Sequence, residues 1–128
     1  MAIGEAGGYN HEMPLDATIE RLPEGTAVVT LAGPMTLGGS LKVADSQIHS
    51  AITDGVTKMI FDMTGVDYVD SAGLGMMVYT CGTINKKGGA FRAFGVAPRV
   101  LTMLQMTKVD TFLGICGSLE ESLAGLGG

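Results

Sequence analysis

The spacing of hydrophobic positions changes several times along the chain, and each change predicts a different element of secondary structure. Apolar and polar residues alternate, imperfectly, from Leu15 to Leu22, which is typical of a strand with one face in water. The turn residues Pro23 to Gly25 separate this segment from a denser apolar run, Thr26 to Leu31. The two runs therefore predict a β-hairpin.

The rest of the chain alternates between helical and strand-like patterns. Apolar residues recur at spacings of three and four in two stretches, which predicts two amphipathic helices with these inward positions: Leu41, Ala44, Ile48, Ala51 and Ile52 in the first, and Leu74, Met77, Val78, Cys81 and Ile84 in the second. Thr36 or Ser40 is the expected cap of the first helix. Pro98 suits the first turn of a third helix, and Ser118 with Glu121 forms a capping-box pattern for a fourth.

Short apolar runs predict three further strands, namely Lys58 to Met63, Ala90 to Phe94, and Thr111 to Ile115. About five strands and about four helices in this order predict an α/β fold, with a mixed β-sheet and the helices packed against it. Residues 1–13 contain three glycines and little apolar pattern, which favours a flexible N-terminal tail. The predicted domain spans residues 14–126.

Composition excludes several classes of partner. A chain of 128 residues is long enough for one domain with its own core. Its net charge is −5, with 8 basic residues against 13 acidic ones, which argues against binding to nucleic acid or anionic membranes. No apolar run approaches the roughly 20 residues that span a bilayer, and the first residues lack a signal-peptide pattern, so a cytoplasmic protein is expected. Cys81 and Cys116 are expected to be free, buried thiols.

The segment Asp70 to Gly75 presents a serine at a predicted strand-to-helix turn. A serine before a helix most often caps it by accepting a backbone N–H. Gly73 and Gly75 are expected to allow close backbone approach of a partner or a neighbouring loop. Nucleotide binding is disfavoured, because the lysine-containing phosphate-binding motif is absent from the sequence. No cluster has the spacing of a metal site, and neither histidine has a nucleophile partner, so no metal, cofactor or catalytic residue is predicted and the chain is not expected to be an enzyme.

The sequence Asp70-Ser71-Ala72-Gly73-Leu74-Gly75, with the strand before it, resembles the signature of the STAS domain found in bacterial anti-sigma factor antagonists. The similarity runs from about Leu15 to Leu123. It includes Ala97-Pro98-Arg99-Val100 and Met106-Thr107-Lys108-Val109. The resemblance implies a STAS-like fold in which Ser71 is a phosphorylation site.

The resemblance also implies a partner, an anti-sigma factor of the serine-protein kinase type. Binding would release a sigma factor, phosphorylation of Ser71 would weaken the complex, and a phosphatase would restore it. ATP would belong to the kinase. The sequence leaves the oligomeric state open between a monomer and a weak dimer. The expected partner-binding residues lie in two loops and one helix turn: Thr36, Leu37, Gly38, Asp70, Ser71, Ala72, Gly73 and Met76.

One position departs from the family pattern. Antagonists usually carry an acidic residue where Thr36 stands. This favours, as an alternative, a STAS interaction module that acts without a phosphoswitch. A second alternative is a domain that binds a small ligand or nucleotide, or even acts as a weak phosphohydrolase.

Overall fold

The structure, a computed structural model, describes residues 13–127, and the predicted tail over residues 1–13 therefore lies, except for Met13, outside the described residues. Five strands and four helices occur in this described range. In chain order they are β1 (Asp16–Leu22), β2 (Thr26–Ala32), α1 (Gly39–Thr53), β3 (Lys58–Gly65), α2 (Ser71–Lys86), β4 (Ala90–Phe94), α3 (Pro98–Met106), β5 (Ile115–Cys116) and α4 (Leu119–Gly127).

The strands form one mixed sheet in the order β1-β2-β3-β4-β5. The hairpin pairs β1 with β2 antiparallel, whereas β2, β3, β4 and β5 run parallel to one another. A helix connects each successive parallel pair, as parallel neighbours require. The predicted α/β fold with a mixed sheet and four packed helices is confirmed.

Alternation along the strands distributes the core between the two faces of the sheet. In β3, Met59, Phe61 and Met63 join the larger core cluster, which includes residues of α1, α2 and α3. Ile60, between them in the sequence, points to the opposite face and packs in a smaller cluster with Val28 and with Leu126 of α4. Successive side chains of a strand point to opposite faces, so helices on both sides are needed to bury them.

Among the described residues, no helix is both long and apolar enough to cross a membrane.

The predicted strand from Thr111 to Ile115 is wrong in its position. Lys108 and Gly114 have φ angles of 62°, and local turns connect the chain between them, with the Leu113 N–H donating to the Val109 carbonyl at 2.9 Å. Within this segment and the residue after it, only Ile115 and Cys116 pair with β4. The apolar pattern of this segment reflects the burial of Leu113 in a turn and not strand pairing.

The two predicted helix caps have different outcomes. Neither Thr36 nor Ser40 caps α1, whose first turn follows Gly38 without a side-chain hydrogen bond. Ser40 instead accepts the Leu15 N–H at 2.9 Å, which ties α1 to the residue before β1. Ser118 does cap α4, because its hydroxyl accepts the Glu121 N–H at 3.1 Å. Glu121 in turn accepts from the Gly117 N–H at 2.8 Å.

Candidate functional site

Two loops meet at one edge of the sheet, where the carboxyl ends of neighbouring parallel strands lie side by side. The loop after β2 and the loop after β3 form an isolated parallel bridge between Met35 and Val69. The Met35 N–H donates to the Tyr68 carbonyl at 3.0 Å, and the Asp70 N–H donates to the Met35 carbonyl at 3.1 Å. The segments containing Thr36 and Ser71 are therefore held together by backbone hydrogen bonds.

Asp70 is the residue that caps α2. One carboxylate oxygen, Oδ1, accepts the Gly73 N–H at 2.9 Å, which satisfies a donor of the first helical turn. The other, Oδ2, accepts the Leu37 N–H at 3.0 Å from the neighbouring loop. The expectation that Ser71 caps the helix is wrong, since Ser71 is the first helical residue and Asp70 has the extended conformation of a cap.

The pKa of Asp70 reflects two opposing influences. Burial raises the pKa of this carboxyl, but hydrogen bonds from the backbone N–H groups of Leu37, Gly73 and Ala72 favour the charged form. The hydrogen bonds outweigh burial, and the pKa of Asp70 lies below its ordinary value. At neutral pH, Asp70 is therefore a fixed negative charge immediately before Ser71.

Ser71 is exposed and begins α2. The hydrogen bonds found among residues 13–127 include none to its hydroxyl, whereas its neighbour Asp70 takes the capping role. The Ser71 hydroxyl is thus accessible from solvent, on a turn whose backbone is fixed on both sides. A phosphoryl group would be accommodated there, since a helix N-terminus favours negative charge.

Gly73 allows α2 to approach the neighbouring loop. A Cβ atom built on Gly73 would lie 2.8 Å from the Met35 Cβ and still closer to the Met35 carbonyl oxygen. Gly75, in contrast, has nothing within 4 Å of such a Cβ. Close approach to a neighbouring loop, which the sequence suggested for these glycines, holds for Gly73 alone.

The other predicted contact residues differ in their access to solvent. Leu37 is 75% exposed, and Gly38 beside it is also exposed. Thr36 and Ala72 are half-buried, whereas Gly73 and Met76 are buried. Ala72 and Met76 contribute to a groove of about 280 Å³ between α1 and α2, whose other lining residues are Leu41, Lys42, Asp45 and Tyr79. Direct contact with a partner is therefore easiest at Leu37, Gly38 and Ser71.

Arg99 is a residue of this edge to which sequence reasoning gave no role. Its Nε donates to the Asp67 carbonyl at 3.1 Å, and its guanidinium carbon lies 6.0 Å from the centroid of the Tyr68 ring. The signal was present, since Pro98 opens a helix after a parallel strand and so brings the next residue to the same edge of the sheet. Arg99 adds a positive charge to a surface that also contains Asp67 and Asp70.

Comparison with known proteins identifies the family. The profile of the STAS domain family matches residues 17–122. The chain belongs to the STAS domain family. The matched range contains both loops of the site and the sheet except for Asp16, the first residue of β1.

Solved structures share the STAS fold at low sequence identity. An anti-sigma factor antagonist from Mycobacterium paratuberculosis superimposes with a TM-score of 0.78 at 18% identity, covering 89% of this chain and 95% of the other. The Bacillus antagonist SpoIIAA matches in its unphosphorylated form, with a TM-score of 0.74, 19% identity and coverages of 86% and 95%. The murine anion transporter of solute carrier family 26, member A9, matches with a TM-score of 0.62 and 13% identity, over 88% of this chain but 22% of the transporter. The STAS fold thus occurs in proteins of different function, so a function must be inferred from the site itself. We call this site, formed by the loops after β2 and β3 and the first turn of α2, the edge site.

Proposed function

We propose that this STAS protein is an anti-sigma factor antagonist. It binds an anti-sigma factor of the serine kinase type and so releases a sigma factor, and phosphorylation of Ser71 reverses the binding. The observation that carries this proposal is the exposed Ser71 hydroxyl on a turn that Asp70 and Met35 fix, beside the exposed Leu37. The resemblance of the Asp70 to Gly75 segment to the antagonist signature supports the same function.

The proposed modification is a phosphoryl transfer from ATP bound to the kinase. The bond between the γ-phosphorus and the β,γ-bridging oxygen breaks, and a bond from Ser71 Oγ to that phosphorus forms. The hydroxyl proton passes to a base of the kinase or to water, and ADP leaves. The product adds about −1.5 to −2 of charge to Ser71 at pH 7.

This added charge acts over a short range. Solvent and salt screen a surface charge beyond about 8 to 10 Å, so phosphorylation controls binding only where the partner contacts this edge of the sheet. Asp70 is already negative beside Ser71, and the phosphate therefore concentrates charge of one sign at the contact surface. A partner with acidic groups facing this edge is repelled, and a phosphatase that removes the phosphate restores the complex.

An interaction module without a phosphoswitch is the alternative that one observation favours. Thr36 stands at the position where antagonists usually carry an acid, and it is half-buried in the loop beside Asp70. In that alternative the same edge binds a partner, but the charge of Ser71 does not regulate the complex. The two functions differ in the effect of a charge at Ser71.

Pull-down from lysate of the source cells tests the proposal, with wild type, Ser71→Ala, Ser71→Glu and Ser71→Gln as baits. Ser71→Gln is the matched control, because the glutamine side chain has nearly the size of glutamate but no charge. We expect wild type and Ser71→Ala to retain a protein kinase. Ser71→Glu should retain much less of that kinase than Ser71→Gln does. Equal retention by the Glu and Gln variants would support the interaction module.

Two further measurements complete the test. Mass spectrometry of the protein from stressed and unstressed cells should find phosphate on Ser71, and modification only at Thr36 or Ser46 would contradict the proposed acceptor.

Equilibrium dialysis with ATP and GTP should find no binding to this chain. Binding of either nucleotide would favour the nucleotide-binding alternative.

A further inference from the structure

The two oxygens of the Asp70 carboxylate bind different parts of the edge site. Oδ1 accepts the N–H of Gly73 within α2, and Oδ2 accepts the N–H of Leu37 in the loop after β2. The other described hydrogen bonds that join this loop to the 66–70 segment are the two that Met35 makes with Tyr68 and Asp70, and Met35 precedes Thr36. Among the described residues, the hydrogen bond from Leu37 is therefore the one that connects residues 36–38 to the turn containing Ser71.

Thr36 is half-buried, whereas Leu37 and Gly38 are exposed and have few side-chain contacts to fix their position. The Leu37 side chain is 75% exposed and so contributes little buried packing. Gly38 has a φ of 155° and, like Gly39, has nothing within 4 Å of the position that a Cβ would occupy. A glycine-containing segment of this kind can adopt several backbone conformations at low cost. The Gly38 carbonyl accepts the Lys42 N–H of α1 at 3.2 Å, and the hydrogen bond from Leu37 to Asp70 is the contact that fixes the segment against the turn containing Ser71.

A negative group on Ser71 would act directly on this hydrogen bond. Ser71 follows Asp70 in the chain, so a phosphate there repels the adjacent carboxylate. Phosphate oxygens are also strong acceptors that can take the backbone N–H groups of the first turn of α2. Repulsion and competition both favour displacement of the Asp70 carboxylate from the N–H groups of Leu37 and Gly73.

We propose that Asp70 is a positioning residue that transmits the charge on Ser71 to residues 36–38. With an uncharged Ser71, the carboxylate holds Leu37 in the conformation that the partner contacts. With a charged Ser71, the carboxylate releases the Leu37 N–H and residues 36–38 become mobile. This inference rests on the proposed function for its biological use, but the coupling itself is a property of the isolated chain.

Nuclear magnetic resonance on the chain of 128 residues tests the coupling without a partner. Amide hydrogen exchange and amide shifts are compared for wild type, Ser71→Glu and the uncharged control Ser71→Gln. We expect exchange at Leu37 to be about tenfold faster in the Glu variant than in the Gln variant, the change that corresponds to loss of one charge-assisted hydrogen bond. Exchange at Leu74, whose N–H donates to the Asp70 backbone carbonyl at 2.9 Å, should stay the same.

The pH profile distinguishes this role from general loosening of the turn. In wild type and in Ser71→Gln, the amide shifts of Leu37 and Gly73 should titrate together with the Asp70 carboxylate. In Ser71→Glu, the Leu37 amide should no longer follow that titration, and Asp70→Asn should abolish it at both amides. Adding Ser71→Glu to Asp70→Asn should have no further effect on exchange at Leu37.

Each result separates the inference from the proposed function. Equal exchange at Leu37 in the Glu and Gln variants would overturn the coupling, even if Ser71→Glu still weakens binding to a partner. An independent effect of Ser71→Glu in the Asp70→Asn background would also overturn it. If exchange at Leu37 responds as expected but the pull-down finds no charge-dependent partner, the coupling stands and the proposed function fails.

Discussion

At the scale of single residues, two glycines that lie close together in the sequence have different environments at the edge site. Gly73 permits contact between α2 and the loop at Met35, whereas Gly75 two positions later is exposed in open space. Both belong to one Gly-x-Gly pattern, which the sequence alone cannot divide into a constrained and an unconstrained member. The difference comes from where the helix surface faces the loop.

Gly73→Ala should destabilise the fold by about 1 to 3 kcal/mol, since its Cβ overlaps the Met35 backbone. Gly75→Ala is the matched control on the same helix. It should raise the free energy of unfolding by about 0.5 to 1 kcal/mol, because alanine loses less backbone freedom in a helix. Urea unfolding followed by circular dichroism measures both. Equal effects of the two substitutions would contradict the close contact at Met35.

At the scale of elements, the cap of α2 connects the stability of a helix to the ionisation of one carboxyl. Asp70→Ala should lower the free energy of unfolding by about 0.5 to 2 kcal/mol, the usual cost of losing a cap. Ser71→Ala should have little effect, since the Ser71 side chain caps nothing in the described structure. Urea unfolding at neutral pH measures the stability of the two variants. A larger loss of stability in Ser71→Ala than in Asp70→Ala would contradict the assignment of the cap to Asp70.

The cap also predicts a dependence on pH. The pKa of Asp70 is lowered in the folded state, so its stabilisation is present above the unfolded pKa of about 3.9 and is lost as pH falls through the folded pKa. The stability difference between wild type and Asp70→Asn should therefore be constant above about pH 5 and decrease below about pH 4. Urea unfolding at a series of pH values measures it. A difference that does not decrease in acid would contradict the role of the carboxylate.

The elements also differ in how far the sequence determines them. The helical spacing of α1 and α2 and the turn at Pro23 to Gly25 were sufficient to predict those elements, because each depends on local pattern and local turn chemistry. β5 was misplaced, since its two residues pair with β4 through a contact that no local pattern encodes. The assignment of the cap to Ser71 failed for a similar reason. The Leu37 N–H that helps to hold Asp70 is 33 positions away in the sequence.

At the scale of the whole molecule, the two faces of the sheet have cores of unequal size. The face under α4 has a small cluster of Val28, Ile60 and Leu126, whereas α1, α2 and α3 cover the larger one. Leu126→Ala should cost about 2 to 3 kcal/mol, the lower part of the range for buried leucine, because the cluster is small. Leu123→Ala, on the same helix but 38% exposed, is the control and should cost much less in urea unfolding.

The two ends of α2 are far enough apart for substitutions at them to act independently. Helix α2 has 16 residues, so its two ends are about 24 Å apart. Ser71 lies at one end and Lys87 follows the other. This separation is more than twice the distance over which salt screens a surface charge. Substitutions at the two ends should therefore affect different properties.

Leu37→Ala should weaken binding to the kinase that the pull-down identifies, while leaving the free energy of unfolding nearly unchanged. The physical reason is that Leu37 is 75% exposed in the free chain, so the folded state gains little from its side chain, whereas a partner that covers it buries apolar area. Isothermal titration calorimetry should give a loss of about 1 to 2 kcal/mol in binding free energy. Lys87→Ala, at the far end of α2, is the control and should bind like wild type. Equal affinity of both variants, or a loss confined to Lys87→Ala, would move the contact surface away from the edge that contains Ser71.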